Sequence, residues 1–124
     1  MPRILVIEDN EQNLYLVTFL LEKAGYEVIA ARNGPDGIEL ARTDSSVLIL
    51  LDIQLPGMDG YAVAAELRKL PHLEKTPIVA VTSYAMVGDE EQALKAGCTG
   101  YIEKPINPDT FVDQLKKFLP DDAP

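Results

Sequence analysis

Val47-Leu48-Ile49-Leu50-Leu51-Asp52 is the stretch on which the fold turns. Five apolar residues in succession, with no polar alternation, suit a strand covered on both faces, as in a parallel sheet packed between helices. An acid ends the run at once. The same pattern recurs on either side: Ile4-Leu5-Val6-Ile7 runs into Glu8-Asp9-Asn10, and Ile78-Val79-Ala80-Val81 runs into Thr82-Ser83. Residues 27–31 and Gly100-Tyr101-Ile102 read as two further strands.

The intervening segments carry helical spacing. Leu14, Val17, Leu21 and Ala24 recur on one face up to Gly25, a helix stop. Pro35 opens a second helix through Ile38, Leu40 and Ala41, in the first turn where its missing N–H costs nothing. A third carries Tyr61, Ala64, Ala65, Leu67 and Arg68, and a weakly amphipathic fourth runs through Ala93-Leu94 to Gly97. Asn107-Pro108-Asp109 is expected to cap a fifth, whose apolar face is Phe111, Leu115 and Phe118 with Val112 and Leu119 beside it. Five strands alternating with five helices imply right-handed βαβ units and an α/β fold: a five-stranded parallel sheet, doubly wound in three α/β/α layers.

The length of 124 residues fits one domain, 1–124, and leaves no room for an output domain after the fifth helix. Twenty acidic against 11 basic residues give a formal charge of −9, which argues against nucleic acid and anionic membrane surfaces as partners. The lone Cys98 has no partner for an internal disulfide and reads as a small packing residue in a reducing compartment. No apolar run reaches bilayer length and no signal peptide precedes the first strand, so a cytoplasmic location is expected.

Ligands of an open parallel sheet bind outside the carboxyl ends of its strands. The residues there are Glu8 and Asp9 after the first strand, Asp52 after the third, Thr82 and Ser83 after the fourth, and Glu103, Lys104 and Pro105 after the fifth. Three carboxylates, a hydroxyl and an ammonium would meet on one rim. Crowded carboxylates raise one another's proton affinity unless a cation sits among them, and a few hard oxygens that leave room for water and phosphate suit Mg²⁺. A carboxylate is also a nucleophile toward phosphorus, and Lys104 and Thr82 could pair with phosphoryl oxygens.

Glu8-Asp9-Asn10, residues 51–60 (LDIQLPGMDG), Val81-Thr82-Ser83 and Lys104-Pro105 together resemble the receiver domain of two-component response regulators, over essentially the whole chain. The resemblance is to stand-alone receivers of the DivK type, or to receivers attached to hybrid histidine kinases. It implies a flavodoxin-like strand order of 2-1-3-4-5 and a phosphoacceptor at Asp52, loaded from the phosphohistidine of a histidine kinase or histidine phosphotransfer protein. It implies Mg²⁺ held by Asp9, Asp52 and the Gln54 backbone carbonyl, with Glu8 holding a coordinated water. Thr82 and Tyr101 would form the switch, Lys104 would pair with the phosphoryl group, and the Lys104–Pro105 bond would be cis. Gln54 and Tyr84 are positions that modulate phosphoryl lifetime in this family, with Ser83 beside them. The output face would be the fourth helix, fifth strand and fifth helix. Glu8 departs from the commoner aspartate but still offers an oxygen.

Each residue alone has a plainer reading. Asp52 could be a turn or cap residue, Glu8 and Asp9 first-turn acids favourable to a helix dipole, and Thr82 or Ser83 the cap of the fourth helix. Tyr101 could be core with its hydroxyl at the surface, Lys104 a solvated loop lysine and His72 a surface residue remote from the rim. Gly57 and Gly60 are expected to relieve backbone strain near Asp52. The constellation outweighs these readings. A phosphohydrolase with an aspartyl nucleophile would need a second acid where Gln54 stands. A flavodoxin-like carrier would need a phosphate cradle where Glu8 and Asp9 would repel phosphate. The chain is therefore expected to be a switch whose only chemistry is self-directed phosphotransfer and autodephosphorylation. The alternatives are a constitutive binding receiver and a receiver excised from a hybrid kinase.

Overall fold

The computed structural model describes residues 2–55, 57–83 and 89–119. Strands β1 (Arg3–Ile7), β2 (Glu27–Ala31), β3 (Leu48–Asp52), β4 (Ile78–Thr82) and β5 (Gly100–Glu103) form one parallel sheet in the order β2-β1-β3-β4-β5. The connecting helices are α1 (Glu11–Lys23), α2 (Gly34–Thr43), α3 (Gly60–Arg68), α4 (Asp89–Ala96) and α5 (Phe111–Lys116), with a 3₁₀ turn over Pro71–Leu73.

The period-two alternation of strand side chains divides the interior in two. Ile4, Val6, Leu48, Leu50, Val79, Val81 and Ile102 pack with Val17 and Leu21 of α1, Tyr26, and Phe111 and Leu115 of α5. Leu5, Ile7, Ile49, Leu51, Ile78 and Ala80 pack with Ala41 of α2, Val63, Ala64 and Leu67 of α3, and Ala93 of α4. The sheet is thus covered on both faces, and every residue of β3 and β4 is buried. Each Leu, Ile or Val so buried contributes roughly 1.5–3 kcal/mol of apolar transfer. The edge strands β2 and β5 are only partly buried.

Side-chain caps start three helices: Asn10 Oδ1 accepts from Asn13 N at 2.9 Å, Asn33 Oδ1 from Asp36 N at 2.8 Å, and Asp59 Oδ1 from Tyr61 N at 3.0 Å. Some boundaries differ from the sequence reading. Asp52, Thr82 and Glu103 are the last residues of their strands rather than the first beyond them, because the ladder continues through the Asp52–Val81 and Thr82–Glu103 pairings. Asn107 caps the turn before α5, accepting from Asp109 N at 2.9 Å, while Thr110 occupies the helix's own cap position. Ala65 is exposed, and Val63 takes its place in the buried stripe of α3. The fourth helix is described from Asp89, so an N-terminal cap by Thr82 or Ser83 lies outside the described residues.

The amino end of the sheet is closed by two arginines. Arg68, at the end of α3, donates from Nε to Gly97 O at 2.7 Å, from Nη1 to Leu73 O and Thr76 O at 2.7 Å each, and from Nη2 to Thr99 Oγ1 at 3.3 Å. Arg3 pairs with Glu27 at 2.6 Å and with Asp44. His72 is exposed, as its sequence position implied, and its Nε2 lies 2.6 Å from Ala41 O in the last turn of α2.

Candidate functional site

In the order β2-β1-β3, chain direction across the sheet reverses between β1 and β3, and a crevice opens beyond their carboxyl ends. Glu8 and Asp9 follow β1 directly and Asp52 ends β3. The strand registers bring one carboxylate oxygen from each residue within 4.8 Å of the others. Glu8 and Asp52 are buried, while Asp9 is exposed at the mouth. Beneath them lies a small apolar hollow lined by Val6, Ile7, Val17, Leu50, Val81 and Ile106, all but Ile7 on the α1/α5 side of the sheet.

Lys104 approaches from the loop after β5. Its Nζ stands 3.2 Å from Asp52 Oδ1 and 3.7 Å from Glu8 Oε1, and the Lys104–Pro105 peptide bond is cis. Lys104 N–H donates to Thr82 O at 2.8 Å, which fixes that loop against β4. Asp52 Oδ1 also accepts from Gln54 N at 2.9 Å, and Glu8 Oε2 from Asn10 N at 3.3 Å.

Lys104 pairs with Glu8 and Asp52, and with Asp9 beside them the three carboxyl groups outnumber its single charge. Burial over the apolar hollow pushes the Glu8 carboxyl up to about 7, aided by its hydrogen bond to Asp52 and that residue's charge; the Asn10 N–H and Lys104 oppose the rise. The donor set of convergent carboxylates, one of them facing solvent, is the one that hard divalent cations favour, Mg²⁺ among them.

Thr82 is buried at the end of β4, in the strand beside Asp52, and continues the alternation of Ile78 and Ala80 toward the α2/α3/α4 side. Tyr101 pairs in register with Ala80 and is half-buried against that same half-core. Ser83 is exposed just beyond Thr82. The structure thus brings Glu8, Asp9, Asp52 and Lys104 together, with Gln54, Thr82 and Ser83 adjoining them; Tyr101 lies one strand further out. Tyr84 lies outside the described residues.

Two glycines shape the loop that follows Asp52. Gly57 has φ +80°, a conformation that residues with a side chain rarely adopt. Gly60 serves a different purpose from the relief of strain expected of it: a Cβ there would stand 2.4 Å from Ile53 Cα and 2.9 Å from Asp52 O. Its bareness lets the start of α3 lie directly on the end of β3.

Sequence reasoning missed one element of the site. Gln54 Oε1 accepts a hydrogen bond from Ser83 N at 3.1 Å, joining the loops after β3 and β4. A polar, uncharged side chain two residues beyond a strand-end acid was the available signal, but the choice of partner depends on a contact across 29 positions.

The chain matches the response regulator receiver domain family over residues 4–116. The polar-differentiation response regulator DivK of Brucella anthropi is 43% identical over 122 residues, covering 98% of this chain and 99% of that protein. Chemotaxis protein CheY4 of Vibrio cholerae has the same fold, with a TM-score of 0.92 at 28% identity over 96% of this chain and 99% of that one. The receiver domain of the Pseudomonas aeruginosa sensor histidine kinase PA1611, solved with a magnesium ion coordinated in its active-site cleft, gives a TM-score of 0.86 at 32% identity, covering 94% of this chain and 96% of that one. With its sheet order, its acidic rim and these similarities in agreement, the chain belongs to the response regulator receiver domain family and is DivK-like in sequence and length.

Proposed function

We propose that this receiver is a phosphorylation-controlled binding switch that accepts a phosphoryl group on Asp52. The observation that carries the reading is the buried Asp52 carboxylate, with Lys104 Nζ at 3.2 Å and two further carboxylates within 4.8 Å. Glu8, Asp9, Asp52 and the Gln54 backbone carbonyl would hold Mg²⁺, whose charge there offsets that of the carboxylates and of an incoming phosphoryl group.

In the transfer, an Asp52 carboxylate oxygen supplies an electron pair to phosphorus. The bond from phosphorus to the donor imidazole nitrogen breaks, its pair stays on that nitrogen, and the imidazole takes a proton from solvent. Lys104 faces the charge carried by the phosphoryl oxygens, and the Thr82 hydroxyl hydrogen-bonds to one of them. Tyr101, on the same side of the sheet as Thr82, moves with it and carries the change to the face formed by α4, β5 and α5. The donors are a histidine kinase or a histidine phosphotransfer protein, and output is by protein contact. Hydrolysis of the acyl phosphate resets the switch, with Gln54 and Tyr84 as the positions that set its rate.

Incubation with acetyl phosphate and Mg²⁺, read by intact mass, tests this. The expected result is a gain of one phosphoryl group by the wild type and none by Asp52→Asn. No gain by a folded, Mg²⁺-binding wild type would replace the switch with a receiver that binds its partner constitutively.

A further inference from the structure

Where β3 and β4 part at the rim, the hydrogen-bond ladder ends in an unusual way. Ile53 N–H donates to Val81 O at 3.0 Å, so the backbone of Val81 faces β3, whereas Thr82 O faces β5 and accepts from Lys104 N. By the same alternation Ser83 N–H faces β3 again, and the next acceptor in a parallel ladder would be Ile53 O. That oxygen is engaged by Gly60 N at 3.2 Å, where α3 begins. Ser83 N–H is instead accepted by the side chain of Gln54, whose own N–H is bonded to Asp52 Oδ1. One residue thereby touches the carboxylate with its backbone and the first amide beyond β4 with its side chain.

We propose that the Gln54 side chain is a resting-state latch: its neutral amide oxygen occupies the Ser83 N–H, and a phosphoryl oxygen carried by Asp52 must displace it. The inference rests on Asp52 being the acceptor. A charged acceptor forms a bond roughly twice as strong as a neutral one, so the exchange favours the phosphorylated form once it exists and delays its formation beforehand. Gln54 is in this sense a positioning residue, acting through Ser83 and not on phosphorus. The bond also spans the loops after β3 and β4, so its exchange ties the chemistry at Asp52 to the backbone that follows Thr82.

The test compares Gln54→Met, similar in length but without the acceptor, with Gln54→Glu, which keeps it. The Ser83 amide is followed by NMR in the unphosphorylated proteins, and initial phosphorylation rates are measured with acetyl phosphate at saturating Mg²⁺. In Gln54→Met the Ser83 amide proton should move upfield and exchange faster, and phosphorylation should accelerate about two- to tenfold, the range of one net hydrogen bond. Gln54→Glu should keep the Ser83 amide bonded and be no faster than the wild type. An unmoved Ser83 amide, or an unchanged rate in Gln54→Met, overturns the latch while wild-type uptake leaves the acceptor reading intact. Absence of wild-type uptake removes both.

Discussion

The two ends of the sheet are built on opposite electrostatic plans. At the amino end, Arg68 meets four backbone carbonyls and a hydroxyl, and Arg3 meets two carboxylates, so each cation is matched by acceptors. At the carboxyl end, Lys104 pairs with Glu8 and Asp52 while Asp9 stands beside them, and the Glu8 carboxyl is pushed up to about 7. The first arrangement holds loops in place. The second keeps negative charge in excess at a point where a cation or a proton can enter. Stability and responsiveness are thus assigned to opposite rims of one sheet.

That contrast can be broken from either end. The largest effect is expected at the amino end. Arg68→Ala removes every donor of the hub and leaves Leu73 O, Thr76 O and Gly97 O without it, which should lower unfolding free energy by about 2–4 kcal/mol in urea titration. A loss under about 1 kcal/mol would mean that water replaces the guanidinium at little cost. At the carboxyl end the sign reverses. The folded Glu8 binds its proton more tightly than the unfolded chain, whose ordinary value is 4.5, so stability falls as pH rises from about 4.5 to about 7 and the penalty is complete above that. Glu8→Gln should remove this slope and stabilise the Mg²⁺-free protein at pH 8 by about 1–2 kcal/mol, with little change at pH 4.5. Parallel pH dependences in the two proteins would sink the idea. The smallest effect is expected at His72, an exposed residue whose bond to Ala41 O is only partly buried. Thermal denaturation of His72→Ala should report a loss of about 0.5–1 kcal/mol, and a larger one would make the tie to Ala41 O a structural element comparable to the arginine contacts.

The strands were legible because their apolar runs are uninterrupted, and the rim was legible because each reactive residue adjoins the end of such a run. Glu8, Asp9, Asp52 and Lys104 could be placed together by topology before any contact was known. Other features leave weaker marks. The buried stripe of α3 begins at Gly60, which has no side chain to register in an apolar pattern, so the sequence alone does not favour Val63 over Ala65. The hub at Arg68 depends on carbonyls, which every residue possesses and no residue advertises. The bond from Gln54 to Ser83 depends on Gly60 engaging Ile53 O first, a competition that spans three separate segments.

The division of strand side chains between two faces has a further consequence. Asp52 and Glu8 lie over the half-core shared with α1 and α5, whereas Thr82 and Tyr101 belong to the half shared with α2, α3 and α4. Substitutions on opposite sides of the sheet have few shared neighbours, so their energetic costs should add almost independently. The interior can then drift as two separate inheritances: either half can be repacked while the packing of the other stays as it is. A lineage could rework one face of the sheet at a time, with the backbone of five strands as the common property that neither change disturbs.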